Sequence, residues 1–94
     1  MPKSILIIED EKNIQNILKA FLEDAGYNIT LAGDGMAGIA AFHKTDYDLV
    51  LLDIMMPKMD GYTVCEMIRN ESDTPVILLT ALDDEDSQMK GFDL

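Results

Sequence analysis

The stretch Ser4-Ile5-Leu6-Ile7-Ile8-Glu9-Asp10 decides how the rest of the chain is read. Its aliphatic residues run without alternation, which is the mark of a strand buried on both faces of a parallel sheet. Two acids follow at once. Beyond them Ile14, Ile17, Leu18, Phe21, Leu22 and Ala25 fall at i, i+3, i+4, i+7, i+8 and i+11, the spacing of one helical stripe. Asp10 is the expected N-cap of that helix and Gly26 its expected stop. A buried strand, a short acidic turn and an amphipathic helix together make one βα unit.

The same rhythm repeats along the chain. Residues 27–32 read as a second strand, 36–43 as a short Ala-rich helix, and 47–52 as a third strand ending at Asp53. After the turn signals Pro57 and Asp60-Gly61, the residues Val64, Met67 and Ile68 mark a third helix. Pro75 then introduces Val76-Ile77-Leu78-Leu79, a fourth strand ending at Thr80. Asp83-Asp84-Glu85-Asp86 suits the positive end of a fourth helix. Such alternation predicts an α/β fold: a doubly wound parallel sheet with helices on both faces and right-handed crossovers. In these sheets ligands bind beyond the carboxyl ends of the strands. Glu9, Asp10, Asp53 and Thr80 all fall there and are the candidate site.

At 94 residues the chain has room for a single domain, 1–94, with a modest core. Its formal charge of −11 argues against a nucleic-acid backbone as partner and is consistent with a divalent cation or a basic protein surface. No apolar run is long enough to span a membrane, and the first residues lack a signal-peptide layout, so the expected location is cytoplasmic. Cys65 is the lone cysteine, which excludes a disulfide framework and reads as a small apolar residue. His43 closes the second helix with no Cys or His nearby in sequence to make a metal site, and the methionines are dispersed.

Three carboxylates brought together repel one another unless a hard cation neutralises them, and Mg²⁺, which favours carboxylate oxygens, is the natural one. Asp53 ends an otherwise apolar strand, so its carboxylate sits on a rigid element. With charge repulsion cancelled by a metal, such a carboxylate can attack phosphorus in line with a leaving group. The Thr80 hydroxyl could donate to a phosphoryl oxygen. Other readings stand beside this one. Glu9 and Asp10 could simply cap the first helix. Gly33-Asp34-Gly35-Met36-Ala37-Gly38 satisfies the G-x-G-x-x-G dinucleotide pattern, with Asp53 twenty residues beyond Gly33, although Asp34 would lie where a pyrophosphate belongs. A metal-dependent phosphatase would share the nucleophile but needs an acid two residues later, where Met55 stands. A pure interaction module would take no phosphate at all.

Glu9-Asp10, the run Leu51-Leu52-Asp53-Ile54-Met55-Met56-Pro57-Lys58-Met59-Asp60-Gly61, and Leu79-Thr80-Ala81 together resemble the receiver domains of bacterial two-component response regulators. The resemblance runs from Ser4 to Leu94. It implies a flavodoxin-like, CheY-like fold with strand order 2-1-3-4-5 when complete. It makes Asp53 the phosphoacceptor for a sensor histidine kinase and Thr80 the switch hydroxyl. Glu9, Asp10, Asp53 and the Met55 backbone carbonyl become the Mg²⁺ ligands, and Met55 and Leu82 the positions that tune phosphate lifetime. With apolar side chains at both tuning positions, slow autodephosphorylation is expected, and no enzymatic turnover of an external substrate. The wording around Asp60-Gly61-Tyr62 further resembles receivers that precede winged-helix transcription factors, so the expected output, absent from this chain, is transcription.

The chain departs from that pattern at its end. No fifth strand with its lysine, and no fifth helix, follows Leu94, so a receiver truncated before its last βα unit, with strand order 2-1-3-4, is expected. The open edge of the fourth strand and the sheet face beside the first helix are then expected to favour self-association or marginal stability.

Overall fold

The computed structural model describes residues 2–54 and 60–79. Among them run β1 (Ser4–Ile8), α1 (Lys12–Asp24), β2 (Asn28–Ala32), α2 (Gly35–Lys44), β3 (Leu49–Asp53), α3 (Gly61–Glu71) and β4 (Val76–Leu79). All strands are parallel in the order β2-β1-β3-β4. The aliphatic run of β1 is central and pairs on both sides, Ile8 lying opposite Ala32 of β2 and Leu52 of β3. On β3, Asp53 lies opposite Leu79 of β4. The expected fourth helix and Thr80 lie outside the described residues.

Alternation along the buried strands sends side chains to two separate cores. Leu6, Ile8, Val50 and Leu52 meet Val64 and Ile68 of α3, with Ile39 and Phe42 of α2 packed against them. Ile5, Ile7 and Leu51 point to the opposite face, where Leu18 and Leu22 of α1 cover them. The sheet is thus wound on both sides, and each fully buried Leu or Ile contributes about 1.5–3 kcal/mol of transfer free energy. At Gly38, α2 approaches β1 so closely that a Cβ would fall 2.5 Å from Ile8 Cδ1.

Three local expectations are corrected. Asp10 is not the N-cap of α1: that position is Glu11, with extended backbone and no side-chain capping bond, because the chain takes one more residue to turn out of β1. The predicted stripe of α1 splits, with Leu18 and Leu22 reaching the sheet while Ile17 and Phe21 are 67% and 75% exposed. Only the residues of the stripe that meet the sheet are covered, a narrower set than periodicity alone suggests. The third strand starts at Leu49, two residues later than the apolar pattern places it. Gly26 does sit where the stop is expected, with φ of +101°, a conformation that favours glycine.

The dinucleotide pattern has a different use in the fold. Asp34 is the N-cap of α2, its side chain accepting from the Ala37 N–H at 2.7 Å. A carboxylate therefore occupies the helix end where a pyrophosphate would need free donors, and Gly38 serves helix–strand contact. His43 pairs with Glu71 of α3 at 2.6 Å, joining the ends of two helices on the surface. No helix among the described residues is long and apolar enough to cross a membrane.

Candidate functional site

Parallel strands bring their carboxyl ends to one edge, and the acids of β1 and β3 meet there. Glu9 follows the last residue of β1 and extends its ladder by one bond, its N–H donating to the Ala32 carbonyl at 3.0 Å. Asp53 is the last residue of β3, and the next N–H, of Ile54, donates to the Leu79 carbonyl at 3.3 Å. Since β1 and β3 are direct neighbours, Glu9, Asp10 and Asp53 each offer a carboxylate oxygen within 4.8 Å of the others. Glu9 is buried, at 2% exposure, Asp53 is partly buried and Asp10 is exposed.

Burial pushes the Glu9 carboxyl up from 4.5 to about 8, and hydrogen bonding and charge from the neighbouring carboxylates of Asp10 and Asp53 push the same way. The Glu11 N–H, donating to Glu9 Oε2 at 3.0 Å, pulls against them. The shift is upward chiefly because the carboxyl is buried, with two further acids beside it adding to the effect. Three carboxylates of graded exposure suit a hard divalent cation that keeps part of its water shell, and the residues present fit one.

Two further residues contribute through contacts that a linear reading does not show. Gln15, on the first turns of α1, donates from Nε2 to the Glu9 carbonyl at 2.5 Å. Gly61, which the sequence marks as a turn and as the end of the receiver-like run but not as a packing contact, opens α3 directly against the end of β3 that carries Asp53. A Cβ there would lie 2.6 Å from the Asp53 carbonyl oxygen and would also collide with Ile54 Cα. Its N–H donates to the Ile54 carbonyl at 3.3 Å, and Asp60 caps the helix through Thr63 N at 2.9 Å. These bonds fix where α3 begins relative to the end of β3. Of the residues expected at the site, Glu9, Asp10 and Asp53 are brought together. Thr80, Met55 and Leu82 lie outside the described residues.

Known proteins resemble this chain in sequence and in fold. The response regulator receiver domain model matches residues 5–94. A probable transcriptional regulator, ycf27, of Galdieria sulphuraria is 48% identical over 92 residues, covering 98% of this chain and 36% of the relative. The chain thus spans little more than a third of the length of such curated relatives. The response regulator protein TrrA of Thermotoga maritima, solved in complex with Mg²⁺-BeF, is 41% identical with a TM-score of 0.81 over 86% of this chain and 71% of that one. The same protein in complex with the histidine kinase ThkA gives a TM-score of 0.83, again at 41% identity, over 96% of this chain and 78% of that one. On the family match and the likeness of sequence and fold, the chain belongs to the response regulator receiver domain family of two-component systems.

Proposed function

We propose that this chain is the phosphoacceptor part of a transcriptional response regulator and that Asp53 is the residue phosphorylated. The observation that carries the reading is the meeting of the Glu9, Asp10 and Asp53 carboxylates at the carboxyl edge of β1 and β3. An Asp53 carboxylate oxygen attacks the phosphorus of a phosphohistidine on a sensor histidine kinase. A P–O bond forms, the P–N bond breaks, and the imidazole nitrogen leaves with its electron pair and takes up a proton. Glu9, Asp10, Asp53 and the backbone carbonyl of Met55 would hold Mg²⁺, which when bound neutralises charge on the carboxylates and the phosphoryl oxygens. Burial holds Glu9 in place, and β3 holds Asp53 on a rigid element, so the nucleophile needs no reorganisation.

Thr80, next in sequence after β4, is assigned the switch hydroxyl that reads the phosphoryl group and shifts the chain's following segment between two states. Met55 and Leu82 are assigned the lifetime-tuning positions. Neither side chain can orient a water, which supports slow autodephosphorylation and no turnover of external esters. The kinase partner is supported by the TrrA–ThkA complex and the transcriptional output by the ycf27 relatives. Both roles suit a cytoplasmic receiver that forms a single domain, 1–94. Exposed Ile17 and Phe21 on α1 and Ile77 on β4, the last at 51%, support self-association as well.

A chemical trap tests the assignment. After incubation with acetyl phosphate and Mg²⁺, borohydride reduction converts an aspartyl phosphate to homoserine, and peptide mapping locates it. Homoserine at position 53 is expected; homoserine at another acid, or none in a chain with folded circular dichroism, overturns the reading.

A further inference from the structure

The exposed Asp10 sits in the middle of a turn whose flanks are pinned. On one side the Glu9 N–H is held by Ala32, and on the other the Glu11 N–H donates to Glu9 Oε2, each at 3.0 Å. The peptide plane between Glu9 and Asp10 is held from a third direction, since its carbonyl accepts from Gln15 Nε2 at 2.5 Å. Gln15 is itself fixed. Its backbone N–H bonds the Glu11 carbonyl at 3.0 Å, its side chain is partly buried, and its Nε2 lies 4.0 Å from where a Cβ on Gly33 would stand. The amide is therefore bonded to the turn after β1 and lies beside Gly33 in the turn after β2. Holding that carbonyl fixes the backbone torsions on either side of the Glu9–Asp10 peptide, and so the directions in which both acidic side chains leave the chain.

We propose that Gln15 is a positioning residue for the acidic site, its amide holding the Glu9–Asp10 peptide so that both carboxylates face Asp53 before a cation or a phosphoryl group arrives. The role in metal binding rests on the phosphoacceptor reading above; the hold on the peptide does not. Groups one bond removed from the ligands commonly change metal affinity by tenfold or more when lost, because ligands must then be reoriented at the moment of binding.

The test compares Gln15→Met, which keeps length and loses the donor, with Gln15→Lys, which keeps an N–H donor, in the 94-residue chain. Mg²⁺ affinity is read by titration, and amide hydrogen exchange is read without metal. Gln15→Met is expected to bind Mg²⁺ about tenfold more weakly and to exchange the Glu11 amide about fivefold faster, with the Ala20 and Phe21 amides of α1 unchanged. Gln15→Lys is expected to retain the Glu11 protection. Parent-like affinity and Glu11 exchange in Gln15→Met overturn the proposal. So does uniformly faster exchange along α1, which would make Gln15 a helix stabiliser only. If the parent chain itself fails to bind Mg²⁺, the phosphoacceptor reading falls, while Glu11 exchange in the metal-free chain still decides whether Gln15 holds the turn.

Discussion

Replacing Glu9 by Gln isolates the electrostatic cost of the metal-free site. The glutamine keeps shape and volume and can accept from the Glu11 N–H as Glu9 Oε2 does, but it carries no charge. In the folded chain the Glu9 carboxyl is raised from 4.5 to about 8. Between those values the folded state holds a proton that the unfolded state has released. The stability that this group contributes is therefore full below about pH 4.5 and declines as pH rises toward about 8. A tenfold difference in proton affinity between the two states is worth about 1.4 kcal/mol. The loss by pH 7 is then at most about 3.5 kcal/mol, and rearrangement of water around the turn brings it to about 1–3 kcal/mol. Glu9→Gln removes that loss. Urea unfolding followed by circular dichroism at pH 5, 6, 7 and 8 is expected to show the variant more stable than the parent at pH 7 by that amount, with a flatter dependence on pH. Mg²⁺ is expected to stabilise the parent most at the upper end of this range, where binding no longer has to displace the proton, and to leave the variant much less affected. A variant whose stability falls with pH as steeply as the parent's would refute the reasoning.

Other substitutions probe the scaffold. Gly61→Ala is expected to destabilise the chain by about 1–3 kcal/mol, because its Cβ meets the Asp53 carbonyl and the Ile54 backbone; an unchanged urea midpoint would contradict this. Leu6→Ala, which empties a fully buried site, is expected to cost about 2–5 kcal/mol. Phe21→Ala, three-quarters exposed, is expected to change stability by no more than about 0.5 kcal/mol, and the two are compared in the same unfolding assay. Asp34→Ala is expected to cost about 1 kcal/mol by removing the cap bond to Ala37, without any change in binding of NAD, which neither protein is expected to take.

Much of this arrangement is legible in the residues themselves. The unbroken aliphatic runs of β1 and β3 can only be satisfied by burial on both faces, and an acid immediately after each run must then sit at the sheet's carboxyl edge. Neighbouring strands then bring Glu9 and Asp53 side by side. The rest depends on contacts between segments far apart in sequence. Periodicity shows that α1 has an apolar stripe but not how much of it the sheet can cover, so Ile17 and Phe21 belong to the stripe yet lie outside the core. The cap of α1 falls at Glu11 because the acidic turn is shaped by the site's own bonds. Gln15 and Gly61 have ordinary identities in a helix and a turn; their importance lies in how closely α1 and α3 approach the strand ends. The His43–Glu71 pair spans 28 residues and two helices, and nothing local announces it.

We propose that three carboxylates at one sheet edge make Asp53 a metal-dependent phosphoryl acceptor. Intact-mass measurement of the chain after exposure to acetyl phosphate, with and without Mg²⁺ and beside Asp53→Asn, tests it most directly. A gain of one phosphoryl group by the parent chain is expected, dependent on Mg²⁺ and absent from Asp53→Asn. A gain that ignores Mg²⁺ or persists in the variant, or no gain in a chain shown to be folded, would contradict it.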